Sequence, residues 1–293
     1  MAFLNPRLEK LQPKVNKEKK TKAEAAQEHL VADVLLSPKE DKSLTIGLNY
    51  QTLQSAKAAL IKRAQTRDVL SAYAKYFHVL EVSSTFPQFI AAATLKQLLL
   101  SPIEEFVFRI EFERDIHLRD LPQHEGLKHL LSLLSSYPSS RYTLVISLSR
   151  DIHFDAITCE AFSKFIDQLD GPVLAVEAEH WSWGREDAFR DLVAGLRAVV
   201  HHDEPKLPGL TARKGTPQMH HKKVQRVVYR LLGRNQTSWL EHGTERYTYH
   251  YSQQDIKDVA KKIETIGNGR KIVIVSHLPH EEAFRTAEML SRQ

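Results

Sequence analysis

Several features that mark whole classes of proteins are missing from this chain of 293 residues. Its one cysteine, Cys159, leaves no partner for a disulfide within the chain. No apolar run approaches the roughly 18 residues that span a membrane. The first residues lack the apolar core of a secretory signal. These absences favour a cytoplasmic protein without a membrane segment.

Common catalytic motifs are missing as well. The sequence holds no glycine-rich phosphate loop, no G-x-S-x-G turn of serine hydrolases and no H-E-x-x-H zinc motif. The doublets His201-His202 and His220-His221 could supply metal ligands. However, adjacent side chains on an extended chain point in opposite directions, so a doublet rarely gives two ligands. We therefore predict no metal site and no cofactor.

Charge excess is confined to the N-terminus. The whole chain carries a formal charge of +5, and residues 1–22 alone hold seven basic and two acidic side chains. The rest of the chain is balanced, so any attraction to a nucleic acid would come from this arm. The alternative is a solvated, partly disordered leader.

The chain does contain eight short apolar runs with helical patterns between them. Strands that alternate with helices indicate βαβ units and a parallel sheet, and eight units predict a TIM-like (β/α)8 barrel. In such barrels the functional residues lie at the C-terminal ends of the strands. The runs are 44–47, 78–82, 106–110, 142–148, 172–176, 196–200, 224–231 and 271–275.

Two regions follow from this pattern. Residues 44–293 have the length of one barrel of about 250 residues. Residues 1–43 form a basic, partly disordered extension, in which 23–36 are rich in helix formers and end at Ser37-Pro38. Residues 201–222 contain three prolines and two glycines and are typical of a long loop.

Six segments in order along the chain resemble the YecE-like family of bacterial proteins, a barrel domain of unknown function. These segments are 46–50, 73–86, 106–117, 175–183, 229–234 and 247–252. The resemblance implies the same barrel fold over most of 44–290. Six positions differ from the family pattern, and each change removes or alters a polar group at the expected site: Ser83 for Asn, Glu111 for Lys, Glu179 for Arg, Leu232 for His, and Ser276-His277 for paired Asn.

Glu177 is the leading candidate catalytic residue. It ends an apolar strand and should point into the barrel mouth. Burial there would raise its pKa, which would prepare the carboxyl group for general acid–base catalysis. The alternative is an ion pair with Arg230, which could instead bind a carboxylate or phosphate. His117, after the third strand, could assist as acid or base. The candidate substrate-binding residues are Asn49, Ser83, Thr85, His180, Trp183, Gly233, Arg234 and His277.

Three functions remain open. The first is a protein that binds a small polar or anionic ligand at the mouth, as a hydrolase or isomerase. The second is a binding or regulatory barrel that has lost catalysis. The third is a nucleic-acid-associated protein that uses residues 1–22. The sequence leaves the oligomeric state open. If the protein binds its ligand at the mouth, the Glu177 and Arg230 side chains should lie within about 4 to 8 Å of each other.

Truncation would test the division of the chain. Deleting residues 1–22 should barely change the free energy of unfolding, because this arm has no apolar stripe to bury. Deletion through Leu36 should lower the free energy of unfolding further. Leu30, Val34 and Leu35 would each contribute about 1.5–3 kcal/mol of stability if fully buried, and this deletion removes them. Denaturant midpoints of the two truncated chains would measure this. A large loss from the shorter deletion would contradict the solvated arm.

Overall fold

The computed structural model describes residues 44–85, 91–112, 125–149, 151–169, 173–180, 182–183, 187–203, 224–235, 247–266, 269–277 and 279–293. The predicted extension 1–43, with its helix over 23–36, lies outside these residues. Of the predicted loop 201–222, residues 204–222 also lie outside, whereas residues 201–203 belong to the sixth strand, so the loop was predicted to begin too early. The expectations for 1–43 and 204–222 remain predictions.

Eight strands and nine helices are present in the described part of the chain. The strands are β1 Leu44–Asn49, β2 Val79–Thr85, β3 Glu105–Phe112, β4 Tyr142–Leu148, β5 Val173–Ala178, β6 Ala198–Asp203, β7 Arg226–Leu231 and β8 Arg270–Val275. The helices are α1 Tyr50–Ser55, α2 Lys57–Ala64, α3 Val69–Ala74, α4 Ala92–Leu100, α5 Glu125–Ser135, α6 Ala156–Asp167, α7 Asp187–Ala194, α8 Gln253–Thr265 and α9 His280–Ser291.

The strands form one parallel sheet in the order β5-β4-β3-β2-β1-β8-β7-β6. This order brings the first and last strands of the chain together through the β1–β8 ladder, so the sheet curls into a nearly closed barrel with helices between the strands. The predicted TIM-like α/β fold is confirmed. Within the described residues, β5 and β6 share no backbone ladder, and this seam is the one open joint of the wall.

The apolar runs located all eight strands, but most strands extend further than the runs. Tyr142–Leu148 has the predicted bounds. By contrast, β2 continues through Ser83 to Thr85, and β3 continues to Phe112. The reason is that polar residues at these strand ends still pair their backbone groups in the ladder, as Ser83 does opposite Arg109. A prediction from hydropathy alone therefore places the ends of β2 and β3 too early.

The barrel interior is layered. Its middle is filled by ten small or branched apolar side chains. Below them, at the N-terminal ends of the strands, the Glu105 carboxylate lies 2.9 Å from Arg226 Nε and 3.2 Å from Arg270 Nε. Arg226 also donates to the carbonyl oxygens of Tyr142 and Ser140, both at 2.6 Å. This lower ionic cluster closes the bottom of the barrel.

The helices cover the outside of the barrel with one apolar face each. In α8, Ile256, Val259 and Ile263 recur at helical spacing and are buried. Ser252 and Asp255 cap its first turn reciprocally. No helix among the described residues is long and apolar enough to cross a membrane.

Gly47 offers a test of how tightly β1 meets β2. A Cβ atom there would lie 1.9 Å from the Val79 carbonyl oxygen, a backbone atom that cannot move aside alone. We expect Gly47→Ala to lower the free energy of unfolding by about 3 kcal/mol or more, at the upper end for overpacking. Gly195→Ala is the matched control, because the nearest atom to its Cβ would be 3.8 Å away. Urea midpoints of both variants should differ clearly; equal midpoints would contradict the close approach.

Candidate functional site

An ionic cluster fills the barrel above the apolar middle, toward the C-terminal ends of the strands. Its members occupy inward positions, because each lies two residues after an inward-facing position of its strand. We call them the upper ionic layer: Glu81 of β2, Arg109 of β3, Glu177 of β5, His202 of β6 and Arg230 of β7. The strands thus bring together charges that are far apart in sequence.

Glu177 lies at the centre of this layer. Its Oε1 accepts from Arg109 Nε at 2.6 Å and lies 3.8 Å from Arg230 Nη1. Its Oε2 is 2.7 Å from His202 Nε2. This contact joins β5 to β6 across the seam that lacks a backbone ladder. The expected approach of Glu177 and Arg230 is therefore present.

The pKa of Glu177 moves in the opposite direction from the one we expected. Burial alone would raise it, but Arg109, His202 and Arg230 together hold the pKa of this carboxyl well below its usual value of 4.5. Glu177 is thus an ionised carboxylate at neutral pH rather than a poised acid. The sequence predicted burial correctly but could not show that two arginines share the pocket.

Both arginines of the layer are occupied by carboxylates of the protein. Arg230 forks onto Glu81, with Nε and Nη2 each 2.9 Å from a carboxylate oxygen. Arg109 donates to Glu177, to Glu111 at 2.7 Å and to Ser147 Oγ at 2.6 Å. The carboxylates hold the pKa of Arg109 well above its usual value, although burial opposes this. An anion-binding role for Arg230 would require breaking its fork to Glu81.

Above the upper ionic layer, polar side chains line the rim of the mouth. Glu111 and Glu179 approach Arg109 from β3 and from the residue after β5, the latter at 3.7 Å. Ser83 Oγ lies 3.5 Å from Glu81 Oε1. Ser149 and Ser276 follow β4 and β8 in the inward register. The mouth therefore carries carboxylates and hydroxyls.

Asp203 organises a separate cluster between the barrel and α8. It accepts from Arg234 at 2.6 and 3.0 Å and from Tyr251 Oη at 3.0 Å. Arg234 Nη1 also donates to Asp255 at 2.7 Å. In other barrels the loop after strand seven often helps to bind phosphate. Here Arg234, a candidate substrate-binding residue, already holds the carboxylates of Asp203 and Asp255, so an anion would have to compete with them.

Gly233 is required by the backbone of this cluster. Its φ of +93° lies in the left-handed region, and its N–H donates to Tyr251 Oη at 3.1 Å. A Cβ atom there would come within 2.8 Å of Tyr249 Cβ. The backbone conformation and the close contact thus explain a glycine at position 233 without any ligand.

Other predicted binding residues have packing or capping roles in the structure. Asn49 Oδ1 accepts from Thr52 N and caps α1. Trp183 is fully buried, and its Nε1 donates to the Ile152 carbonyl oxygen at 2.6 Å. His277 is fully buried, with its Nε2 2.9 Å from Thr286 Oγ1. These three side chains support the wall rather than line the mouth.

His180 lies in a half-buried position beside the mouth. Its ring stacks on His153 at 3.8 Å between centroids, and its Nδ1 is 2.7 Å from Ser182 Oγ. Burial, followed by repulsion from His153, lowers the pKa of His180 below its usual value of 6.5. The sequence also named Thr85, which ends β2, and His117, which lies outside the described residues.

Sequence reasoning missed Glu81, Arg109 and His202 as members of one site. We searched just after each apolar run, whereas Glu81 and Arg109 lie inside their runs. The available signal was a charged residue at an inward position of an otherwise apolar strand, since burying a charge is costly unless it is paired. His202 was considered only as part of a metal-binding doublet.

The carboxylates of the site contact arginines. Within the described residues, no three histidine, cysteine, aspartate or glutamate side chains are grouped so that they could hold a metal ion. In Glu177, Oε1 faces the guanidinium groups of Arg109 and Arg230, and Oε2 faces His202.

Comparisons with known proteins agree with the fold. The family model described as "Protein of unknown function DUF72" matches residues 48–293. A DUF72 family protein from Thermotoga maritima is 18% identical with a TM-score of 0.61, covering 85% of this chain and 98% of that one. One from Enterococcus faecalis is 14% identical with a TM-score of 0.64, covering 85% and 94%. No curated protein matches.

Glu177→Gln should reveal the ionised carboxylate through the pH dependence of stability. The pKa of Glu177 is lower in the folded state than in the unfolded state. Its ionised form therefore contributes fully to the free energy of unfolding above about pH 4.5, and this contribution is lost as the pH falls below that value. We expect the variant to lose about 3–5 kcal/mol near neutral pH and to show a shallower decline in acid than the wild type. Urea midpoints across the acid range measure both effects.

Glu160→Gln is the matched control for that experiment. Glu160 makes an exposed ion pair with Lys164 at 2.8 Å, so the same chemical change there should leave stability close to the wild type. Equal midpoints for Glu177→Gln and the wild type would contradict the central position of Glu177.

Proposed function

Because this chain belongs to the DUF72 family, whose description names no activity, we propose its function from the site alone: it binds a small polar molecule at the C-terminal mouth of the barrel. The observation that carries the proposal is the upper ionic layer. Buried ion pairs are a poor means of stabilising a fold, since apolar side chains of similar size often serve as well or better. Charges retained inside a barrel, at the end where barrels bind ligands, favour a functional role.

The lower ionic cluster supports this interpretation by contrast. Arg226 there is tied to backbone carbonyl oxygens of the chain segment that leads into β4, which gives the cluster an evident closing role. The upper layer is instead topped by rim side chains, among them Glu111, whose side chain is 34% exposed. A ligand that enters from the C-terminal side would therefore meet polar groups first.

A proton-transfer reaction at the same mouth is the second candidate. Ionised Glu177 holds His202 Nε2 at 2.7 Å, and a carboxylate in this relation can orient an imidazole and stabilise its protonated form. His202 would then be the acid or base, and Glu177 its positioning residue. Hydrolysis or isomerisation of a polar compound would be consistent with such a pair. Binding by the arm 1–22 to a nucleic acid remains a separate hypothesis.

A thermal-shift screen of small polar metabolites would test the binding proposal. A ligand present at 100 times its Kd should add about 2.7 kcal/mol, which raises the Tm by several degrees for a domain of this size. Ser276→Trp should fill the mouth and abolish the shift. Ser135→Trp, on an exposed position of α5 at the opposite end, should keep it. Equal shifts in both variants, or none with any compound in the wild type, would contradict the proposal.

Turnover of a compound found in that screen would test the second candidate. We expect His202→Gln to bind the compound but to lose its conversion by at least about 100-fold, the usual contribution of a general acid or base. NMR spectra of the compound incubated with protein would follow conversion. Undiminished conversion by His202→Gln would exclude His202 from that role.

A further inference from the structure

We propose that the mouth binds an uncharged polyhydroxyl compound, a polyol or a monosaccharide, in preference to charged compounds of the same size. This inference rests on the proposed binding function and names the class of ligand. Two properties of the mouth carry it. The charged groups of the upper ionic layer are engaged with one another, whereas two serine hydroxyls above them have no hydrogen-bond partner among the described residues.

The arginines of the upper ionic layer are fully engaged by the protein. Arg109 donates from Nε to Glu177 and from Nη1 to Glu111. Its Nη2 donates to Ser147 Oγ. In Arg230, Nε and Nη2 donate to one carboxylate, and Nη1 lies 3.8 Å from Glu177. An anion would reach either guanidinium group only by displacing a carboxylate of the protein, which would then lose its own partner.

The carboxylates of the same layer are engaged in the same way. Glu177 accepts from Arg109 at Oε1, and its Oε2 lies 2.7 Å from His202 Nε2. Both oxygens of Glu81 accept from Arg230. A cation would therefore have to displace a side chain of the protein to pair with either carboxylate, and the displaced group would remain buried without its partner.

The two glutamates at the rim have partners as well. Glu111 and Glu179 lie 2.7 and 3.7 Å from Arg109, and each has further interactions. In the part of the mouth that the structure describes, a charged ligand of either sign thus meets no charged group that lacks an interaction. Burying a charge without a partner is costly, so the mouth disfavours both signs.

Ser149 is a polar side chain of a different kind. It is 9% exposed, and its Oγ has no hydrogen-bond partner in the described chain. Its N–H donates to the Phe112 carbonyl oxygen at 3.0 Å, so the backbone pairing of β4 with β3 continues through this residue. It therefore faces inward like Ser147, two residues earlier, whose Oγ contacts Arg109 inside the barrel.

Ser276 repeats this arrangement on β8. Its N–H donates to the Leu231 carbonyl oxygen at 3.0 Å, and it lies two residues after Ile274, a member of the apolar middle. Its Oγ is buried and, within the described residues, has no partner. Ser83 holds the corresponding position on β2, two residues after Glu81, and its Oγ contacts that carboxylate only at 3.5 Å.

These hydroxyls lie around the mouth rather than on one side of it. In the strand order, β4 and β8 are separated by β3, β2 and β1, which is half the circumference of an eight-stranded barrel. A serine hydroxyl both donates and accepts, as does an alcohol, whereas an ammonium group only donates and a carboxylate only accepts. Buried polar atoms without partners call for an explanation, and a ligand with several hydroxyl groups supplies one.

Calorimetric titration of the full chain tests the preference with three sets of six-carbon compounds, based on glucose, galactose and mannose. Each set holds the monosaccharide, its alcohol, its 1-amino-1-deoxy alcohol and its aldonate, which differ chiefly in charge. We expect at least one uncharged member to bind saturably, with a Kd at least about tenfold lower than those of the ammonium and carboxylate members of its set. No saturable binding of any uncharged member up to tens of millimolar would overturn the inference.

Ser149→Ala and Ser276→Ala separate a ligand-binding role from a structural one. Each should weaken binding of that uncharged compound about three- to tenfold, because one hydrogen bond to the ligand is lost. Without ligand, each should keep the urea midpoint at or above that of the wild type, since no hydrogen bond within the protein is removed. Ser135→Ala, at the exposed end of α5, is the matched control and should change neither. A lower midpoint with unchanged affinity would overturn the inference.

Ser276→Trp distinguishes this inference from the proposal on which it rests. The bulky side chain should block the mouth to the uncharged compound. An ammonium or carboxylate member that binds best in its set, and is blocked by Ser276→Trp, would overturn the preference but keep the mouth as the site. An uncharged member that binds Ser276→Trp as tightly as the wild type would overturn both.

Discussion

The contact between Glu177 and the groups around it is the constraint on which the structure of this barrel depends. Glu177 contacts arginines from β3 and β7 and a histidine from β6, so one carboxylate links four strands inside the wall. It also spans the seam between β5 and β6, where the described backbone has no ladder. An ionised group so placed is stable only while its partners remain.

The layering of the interior explains how a barrel can tolerate this charge. Ten apolar side chains separate the upper ionic layer from the lower ionic cluster around Glu105. The two sets have different consequences. The lower one is tied to backbone carbonyl oxygens and closes the barrel. The upper one is bounded by rim carboxylates and serine hydroxyls and lies toward the end of the barrel where we propose that a ligand binds.

Much of the fold could be predicted from the sequence because apolar runs report burial directly. β4 was located residue by residue. The site was harder. Glu177 was found because it ends an apolar run, but the partners of a buried charge depend on strand order and register. Nothing local shows that Arg230 forks onto Glu81, 149 residues away, or that Arg234 is held by Asp203.

The ionisation of Glu177 is the central claim of this account, and carboxyl carbon NMR measures it most directly. With glutamate labelled at the carboxyl carbon and Glu177 assigned by its substitution, the signal can be followed as the pH falls. The account predicts that Glu177 keeps the shift of an ionised carboxylate through pH 4.5, its usual pKa, while exposed glutamates titrate. Half-protonation at or above that value would contradict it, because Arg109, Arg230 and His202 could not then be paired as described.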